Sequence, residues 1–228
     1  MKALKSILLV VIVLSMAALA CDLPELPFGN GTEEPNTNPI PVDGGNDVLF
    51  KDDFSKTGSG WDRYDDDGSV TDYADGGYRI LVGKENWYNW ANPYKNFTDV
   101  QVEVDVTKQA NPDGDAGIIC RYVDVSNFYF LRITTDGYYA ISKLVDGSET
   151  TLGAGEYTAT DAVNTGVGAV NHVRADCVGS TLTLYVNGEK LEQVTDSTFD
   201  SGDVGLLGGS FETGGVDLLF DNFIVYQP

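Results

Sequence analysis

The sequence predicts an all-β fold, an antiparallel β-sandwich of about twelve strands, on three observations. In "TDVQVEVDV" the residues Val100, Val102, Val104 and Val106 alternate strictly with Gln101, Glu103 and Asp105, so apolar and polar side chains take opposite faces of an extended strand. In "TLTLYVNGEKLEQV" two strand-like runs are joined by Asn187-Gly188, the preferred pair for a type I′ hairpin turn. Asp75-Gly76, Asp136-Gly137 and Asp146-Gly147 mark further turns, and no long segment carries a helical period. Each sheet built this way has one apolar face that must be covered, and a second sheet is the usual cover. No internal repeat interrupts the pattern.

Taken in order, the chain divides at residues 1–20, 21–46 and 47–228. "MKALK" supplies two positive charges, and "SILLVVIVLSMAALA" is an apolar stretch short for a bilayer span that ends in small residues. That is the layout of a signal peptide. "ALAC" is similar to the cleavage box of bacterial lipoproteins, in which Cys21 becomes the lipid-carrying N-terminus, although Ala18 stands where that box usually has leucine. An ordinary signal peptide followed by an unrelated cysteine is the alternative. Residues 22–46 hold five prolines, four glycines and four asparagines with no hydrophobic period, the composition of a tether. The expected location is therefore a cell membrane, lipid-anchored, with the domain facing the periplasm or the cell exterior and the lipid as its only membrane contact.

Composition narrows the partners. The formal net charge is -21, from 14 Lys+Arg against 35 Asp+Glu, so a phosphate backbone would be repelled and nucleic acid is an unsuitable partner. With 42% hydrophobic and 11% aromatic residues, the chain has enough apolar surface for a core.

Four segments carry a family resemblance: "LFKDDFS" with the following "GW", "GIICRYVDVSNFYFLRITTDGYYAI", "LTLYVNGEKL" and the closing "VDLLFDNFIVY". Over residues 47–228 the chain resembles the concanavalin A-like jelly roll, with laminin-G-like modules and the 3-keto-disaccharide hydrolase domain family as nearest relatives. The resemblance implies a jelly-roll sandwich. It leaves function open, since this fold hosts lectins, glycosidases and adhesion modules.

The stretch "KENWYNWANPY" is the first candidate ligand site. Alternation puts Glu85, Trp87 and Asn89 on one face and Asn86, Tyr88 and Trp90 on the other. The first face looks solvated, so Trp87 and Asn89, with Tyr94 beyond them, are the expected glycan-binding groups, while Tyr88 and Trp90 are expected to pack inward. A sugar stacks its C–H face on an indole while its hydroxyls bond the amides; the plainer alternative is that Trp87 covers a sheet edge. Arg121 and Arg132, set among Ile119, Phe128 and Phe130, are a second candidate, suited to hydroxyls or a uronate carboxylate. Paired acids and packed arginine stems are the bland reading of the same residues.

Catalytic motifs are weak. Glu103 and Asp105 match two positions of the E-x-D-x-E set of laminarinase-type enzymes on this fold, but Thr107 occupies the third, which removes the acid/base carboxylate. His172, the only histidine, alternates with Arg174 and Asp176 on a polar face. The sequence contains no G-x-S-x-G or H-E-x-x-H motif. The resemblance implies a structural calcium at Asp53 and Asp221, at the adjacent ends of the domain where related carbohydrate-binding sandwiches often hold one with hard oxygen ligands, and ordinary turn chemistry is the alternative. "NPDGD", with Asn111, Asp113 and Asp115, is another oxygen-rich loop. With Cys21 lipidated, Cys120 and Cys177 are expected to form one buried disulfide, since the exported setting is oxidising and each lies on an apolar face. The leading expectation is a non-catalytic module that binds a glycan or polysaccharide. A glycoside hydrolase-like enzyme and an adhesion protein with protein partners are the alternatives.

Overall fold

The computed structural model describes residues 47–228. The leader, Cys21 and the proline-rich segment lie outside the described residues. Among the described residues no helix is long and apolar enough to cross a membrane.

Sixteen strands run in chain order: β1 (Val48–Asp52), β2 (Tyr64–Asp66), β3 (Ser69–Ala74), β4 (Gly77–Val82), β5 (Tyr88–Ala91), β6 (Val100–Ala110), β7 (Gly114–Asp124), β8 (Asn127–Thr134), β9 (Tyr138–Val145), β10 (Ser148–Thr151), β11 (Thr158–Ala159), β12 (Val170–Val178), β13 (Thr181–Val186), β14 (Glu189–Thr195), β15 (Asp203–Ser210) and β16 (Val216–Tyr226). Sixteen corrects the expected twelve. The additional strands are short edge pieces such as β2, β10 and β11, whose polar residues carry no apolar alternation and pair only because a neighbouring strand offers its backbone.

The strands form two antiparallel sheets. The nine-stranded sheet runs β14-β13-β12-β6-β16-β4-β3-β2 with β1 added to β16. The seven-stranded sheet runs β10-β9-β8-β7-β15-β5 with β11 added to β9. β6 shows why these sequences make these strands. Its four valines are buried between the sheets while Gln101, Glu103 and Asp105 stay half-exposed. Each such buried valine contributes roughly 1.5–3 kcal/mol. Across the gap, Ile118, Leu131 and Ile141 of the seven-stranded sheet complete the same core.

Cys120 on β7 and Cys177 on β12 are both fully buried and form a disulfide across that core, with Cα atoms 6.8 Å apart. It ties one sheet to the other. Beyond Cys120 the register breaks: a bulge between Cys120 and Asp124 includes Arg121 in a left-handed conformation, φ 53°. Simple alternation puts Tyr122 on the same face as Cys120. The bulge instead turns Tyr122 onto the outer face, against Phe128 at 5.5 Å between ring centroids.

Candidate functional site

The outer face of the seven-stranded sheet carries a second apolar cluster. Ile119, Phe128, Phe130 and Leu207 are buried there, with Tyr88, Trp90, Tyr122 and Leu144 packed around them. Tyr88 and Trp90 therefore pack outward from the sandwich and not into its interior as alternation suggested; Ala91 is the β5 residue that enters the main core. Two glycines make this possible. A Cβ on Gly209 would meet the Tyr88 ring at 2.4 Å, and one on Gly117 would meet the Arg132 Cβ at 2.8 Å. Both side chains occupy space that only a glycine leaves open.

Arg132 is the centre of this face and is 1% exposed. Its guanidinium lies 4.5 Å from the Phe130 ring centroid and 4.8 Å from that of Tyr157. It donates to the Tyr88 hydroxyl at 2.7 Å and to Glu149 at 2.6 Å, and its Nε lies 3.6 Å from the fully buried Asp115. The Tyr157 hydroxyl reaches both Asp115 oxygens at 3.0 and 2.9 Å. Burial pushes the Asp115 carboxyl up from its ordinary range, with Arg132 beside it holding it back. Burial also pushes the Tyr88 and Tyr157 hydroxyls far up, so both stay neutral donors. Arg132 shares the face with Phe128 and Phe130 as expected. It is not open to a ligand, because it is buried and its two terminal nitrogens are bonded to Tyr88, Ser142 and Glu149, while its Nε faces Asp115 without a hydrogen bond.

Tyr88 in turn is a wall of a cleft. The cleft forms where the β5 edge of one sheet meets the β2–β3 edge of the other, and encloses about 530 Å³. Trp87, Trp90, Tyr94, Tyr122 and Tyr64 supply ring surface, and Asp62, Asn92 and Asp203 supply polar atoms. Asp62 and Asn92 stitch the two edges together: the Asp62 amide donates to the Asn92 carbonyl at 3.3 Å and the Asn92 amide to the Asp62 carboxylate at 3.0 Å. Tyr94 is 73% exposed in the left-handed region, φ 59°, and its hydroxyl donates to Asp62. An exposed aromatic held in a strained conformation is found where other contacts over-determine it, commonly at binding sites. A second cavity of about 850 Å³ adjoins the cleft and shares Tyr94, Tyr122 and Asp203 with it.

Asp203, 8% exposed, accepts from the Lys95 amide at 2.9 Å and the Val204 amide at 2.8 Å. Its carboxyl is nevertheless pushed up to about 6, chiefly by burial, with the negative charge of Asp62 adding to the effect.

The other expected binding groups fall as follows. Trp87 is 49% exposed, as expected, with its indole N–H donated to Asn89 at 3.1 Å and the Lys84 ammonium 5.2 Å from its ring centroid. Asn89 is buried where a solvated position was expected, because its amide donates to the Leu81 carbonyl of β4 at 2.9 Å. Arg121 is also buried. The bulge turns it away from Ile119, and it donates to the Thr98 and Phe199 carbonyls and pairs with Asp99 at 3.3 Å. It is a staple between loops and offers no surface for a ligand.

Asp53 accepts from the Ser55 amide and hydroxyl, and Asp221 accepts from the Asn222 amide at 2.7 Å. Among the described residues no group of three or more His, Cys, Asp or Glu side chains is placed to hold a metal ion. In the "NPDGD" loop the cation position is taken from within: the buried Lys108 ammonium bonds Asn111 at 2.9 Å and Asp113 at 2.5 Å, while Asp115 belongs to Arg132.

Glu103 and Asp105 lie on the outer face of the nine-stranded sheet. His172 bonds Asp105 through Nδ1 at 2.8 Å and lies 3.6 Å from Glu103 through Nε2. Asn222 donates to the second Asp105 oxygen at 2.9 Å. His172 and this pair lie far apart in sequence and meet because β6 and β12 are in register with His172 opposite Asp105.

The sequence profile of the 3-keto-alpha-glucoside-1,2-lyase-like domain matches residues 47–218. The chain belongs to that family. No curated protein matches it. Solved structures similar to this lyase-like domain include the carbohydrate binding module CBM66 from Bacillus subtilis, with 15% identity and TM-score 0.59 over 74% of this chain and 96% of that one. A protein of unknown function with galectin-like fold from Bacillus subtilis matches with 11% identity and TM-score 0.59, over 79% of this chain and 96% of that one. The GH43 protein BlXynB from Bacillus licheniformis matches with 17% identity and TM-score 0.57, over 79% of this chain but 39% of that one. At these identities the likeness establishes the jelly-roll sandwich for this lyase-like domain and nothing finer.

Proposed function

We propose that this chain is a non-catalytic carbohydrate-binding module held at the outer face of a cell membrane by lipid on Cys21. One observation carries the reading: the cleft presents Trp87, Trp90, Tyr94 and Tyr122 as ring surface beside the acceptors Asp62, Asn92 and Asp203. Sugars bind through that combination, apolar C–H faces on rings and hydroxyls on polar groups. The fold shared with a carbohydrate binding module and a galectin-like protein supports it. The test is retention on soluble and insoluble polysaccharides, with Trp87→Ala and Trp90→Ala as variants. Each substitution is expected to weaken binding roughly tenfold. Absence of binding to every polysaccharide, or binding indifferent to both substitutions, overturns the reading.

A second reading is an enzyme acting on an oxidised or unmodified disaccharide, favoured by the family's description and by the Asp105–His172 hydrogen bond beside Glu103. Such a couple can accept and hold a proton. Product release by the purified protein, lost in His172→Ala with folding intact, would establish it.

A further inference from the structure

Resting on the reading of the cleft as a carbohydrate site, we propose that it selects a sugar bearing a free amine, whose ammonium sits against Asp62 and Asp203. Both carboxylates line the same aromatic cleft. Their hydrogen-bond donors are neutral: the Tyr94 hydroxyl and Asn92 amide for Asp62, the Lys95 and Val204 amides for Asp203. Among the described residues neither forms an ion pair. The basic side chains lining the cleft and its neighbouring cavity are engaged elsewhere. Arg63 is bound to Asp72 at 2.7 Å, and the Lys95 ammonium lies 5.5 Å from the Phe50 ring centroid. Two carboxylates thus face one partly desolvated space and repel each other across it.

That arrangement discriminates. A uronate or sulfated sugar would bring a third negative charge to a cleft with no uncommitted cation. A neutral sugar would satisfy acceptors but leave the repulsion. An ammonium relieves the repulsion, donates up to three hydrogen bonds and gains from the electron-rich faces of Trp90, Tyr94 and Tyr122. The uronate expected from Arg121 and Arg132 is disfavoured for the same reason: both guanidinium groups are buried and neither lines the cleft.

The pH dependence follows from the groups around Asp203. It is faced by Asp62 from the segment before β2, by Tyr94 and Lys95 after β5, by Tyr122 of β7 and by Asp200 before β15. Since Asp203 releases its proton near 6 and the amine of an amino sugar gives up its own somewhat higher, binding should be bell-shaped in pH and tightest between the two ionisations.

The experiment uses tryptophan fluorescence or calorimetry on the purified protein at about 0.15 M salt, which screens the diffuse attraction of an acidic surface. The probes are the β-1,4 glucosamine tetramer, its fully N-acetylated counterpart and a galacturonic acid tetramer. At about pH 6.5, where carboxylate and ammonium coexist, the glucosamine tetramer is expected to bind roughly tenfold more tightly than the acetylated one, and the galacturonate not at all. Asp62→Asn and Asp203→Asn should each weaken glucosamine binding roughly tenfold. Glu189→Gln, which removes one exposed charge on β14, should not change it. The proposal is overturned if the acetylated tetramer binds as well, or if both Asp→Asn variants bind glucosamine normally. If neutral oligomers bind and Trp87→Ala abolishes it, the glycan reading stands and the amine preference alone falls. If no glycan binds, both fall.

Discussion

The outer faces of the two sheets are built from similar alternating strands and end in opposite states. On the nine-stranded sheet, Asp105 with His172 and Arg174 with Asp176 form hydrogen-bonded pairs that remain partly exposed, with Glu103 3.6 Å from His172. On the seven-stranded sheet, Phe128, Phe130 and Ile119 form a second core around the buried Arg132–Asp115 pair. Water screens the first set, so each pair contributes little. The second set has left water, so each member depends on all its partners. That difference assigns the aromatic face to holding the cleft in shape, through Tyr88.

The sharpest way to break the comparison is Arg132→Ala. It leaves Asp115 buried without a cation and should cost about 3–5 kcal/mol, read as a lower midpoint in urea. An Arg132→Met, Asp115→Leu double variant should recover most of that loss; if it is as unstable as the single variant, the pairing argument fails. Replacing Cys120 and Cys177 by alanine unties the two sheets and should cost about 2–4 kcal/mol, seen equally by reducing the wild type before thermal melting. A melt indifferent to reductant would show that the disulfide contributes nothing.

Asp203→Asn is expected to stabilise. Burial raises the Asp203 carboxyl to about 6 in the folded protein, above its value in the unfolded chain. The folded state thus holds that proton longer, and this group lowers stability as pH rises through about 4 to 6. Asparagine can still accept from the Lys95 and Val204 amides without the charge, so the variant should be more stable by about 1–3 kcal/mol at pH 8 and equal at pH 3. A pH profile parallel to wild type would refute this. Smallest of all, His172→Ala should change the melting free energy by no more than about 0.5 kcal/mol, because its carboxylate partners are partly solvated.

The sequence by itself determined the class of fold, since the valines of β6 and the Asn187-Gly188 turn leave little freedom about which side faces in. It also pointed to the disulfide, because both cysteines occupy apolar faces, while the facing of β7 and β12 across the core is what brings the sulfurs together. Alternation failed where the backbone leaves regular strand geometry: the Arg121 bulge moved Tyr122 to the outer face and buried the arginine itself. Alternation also says nothing about whether an outer face is wet, which is why it misplaces Tyr88 and Trp90 inward and Asn89 outward. Asp62 stands in an acid-rich run and Asp203 opens a strand of glycines and leucines, and neither carries a local sign of being a site. They become one because strands distant in sequence bring the edges of two sheets together, and only that tertiary contact removes enough water from Asp203 to shift its proton and places it beside Asp62.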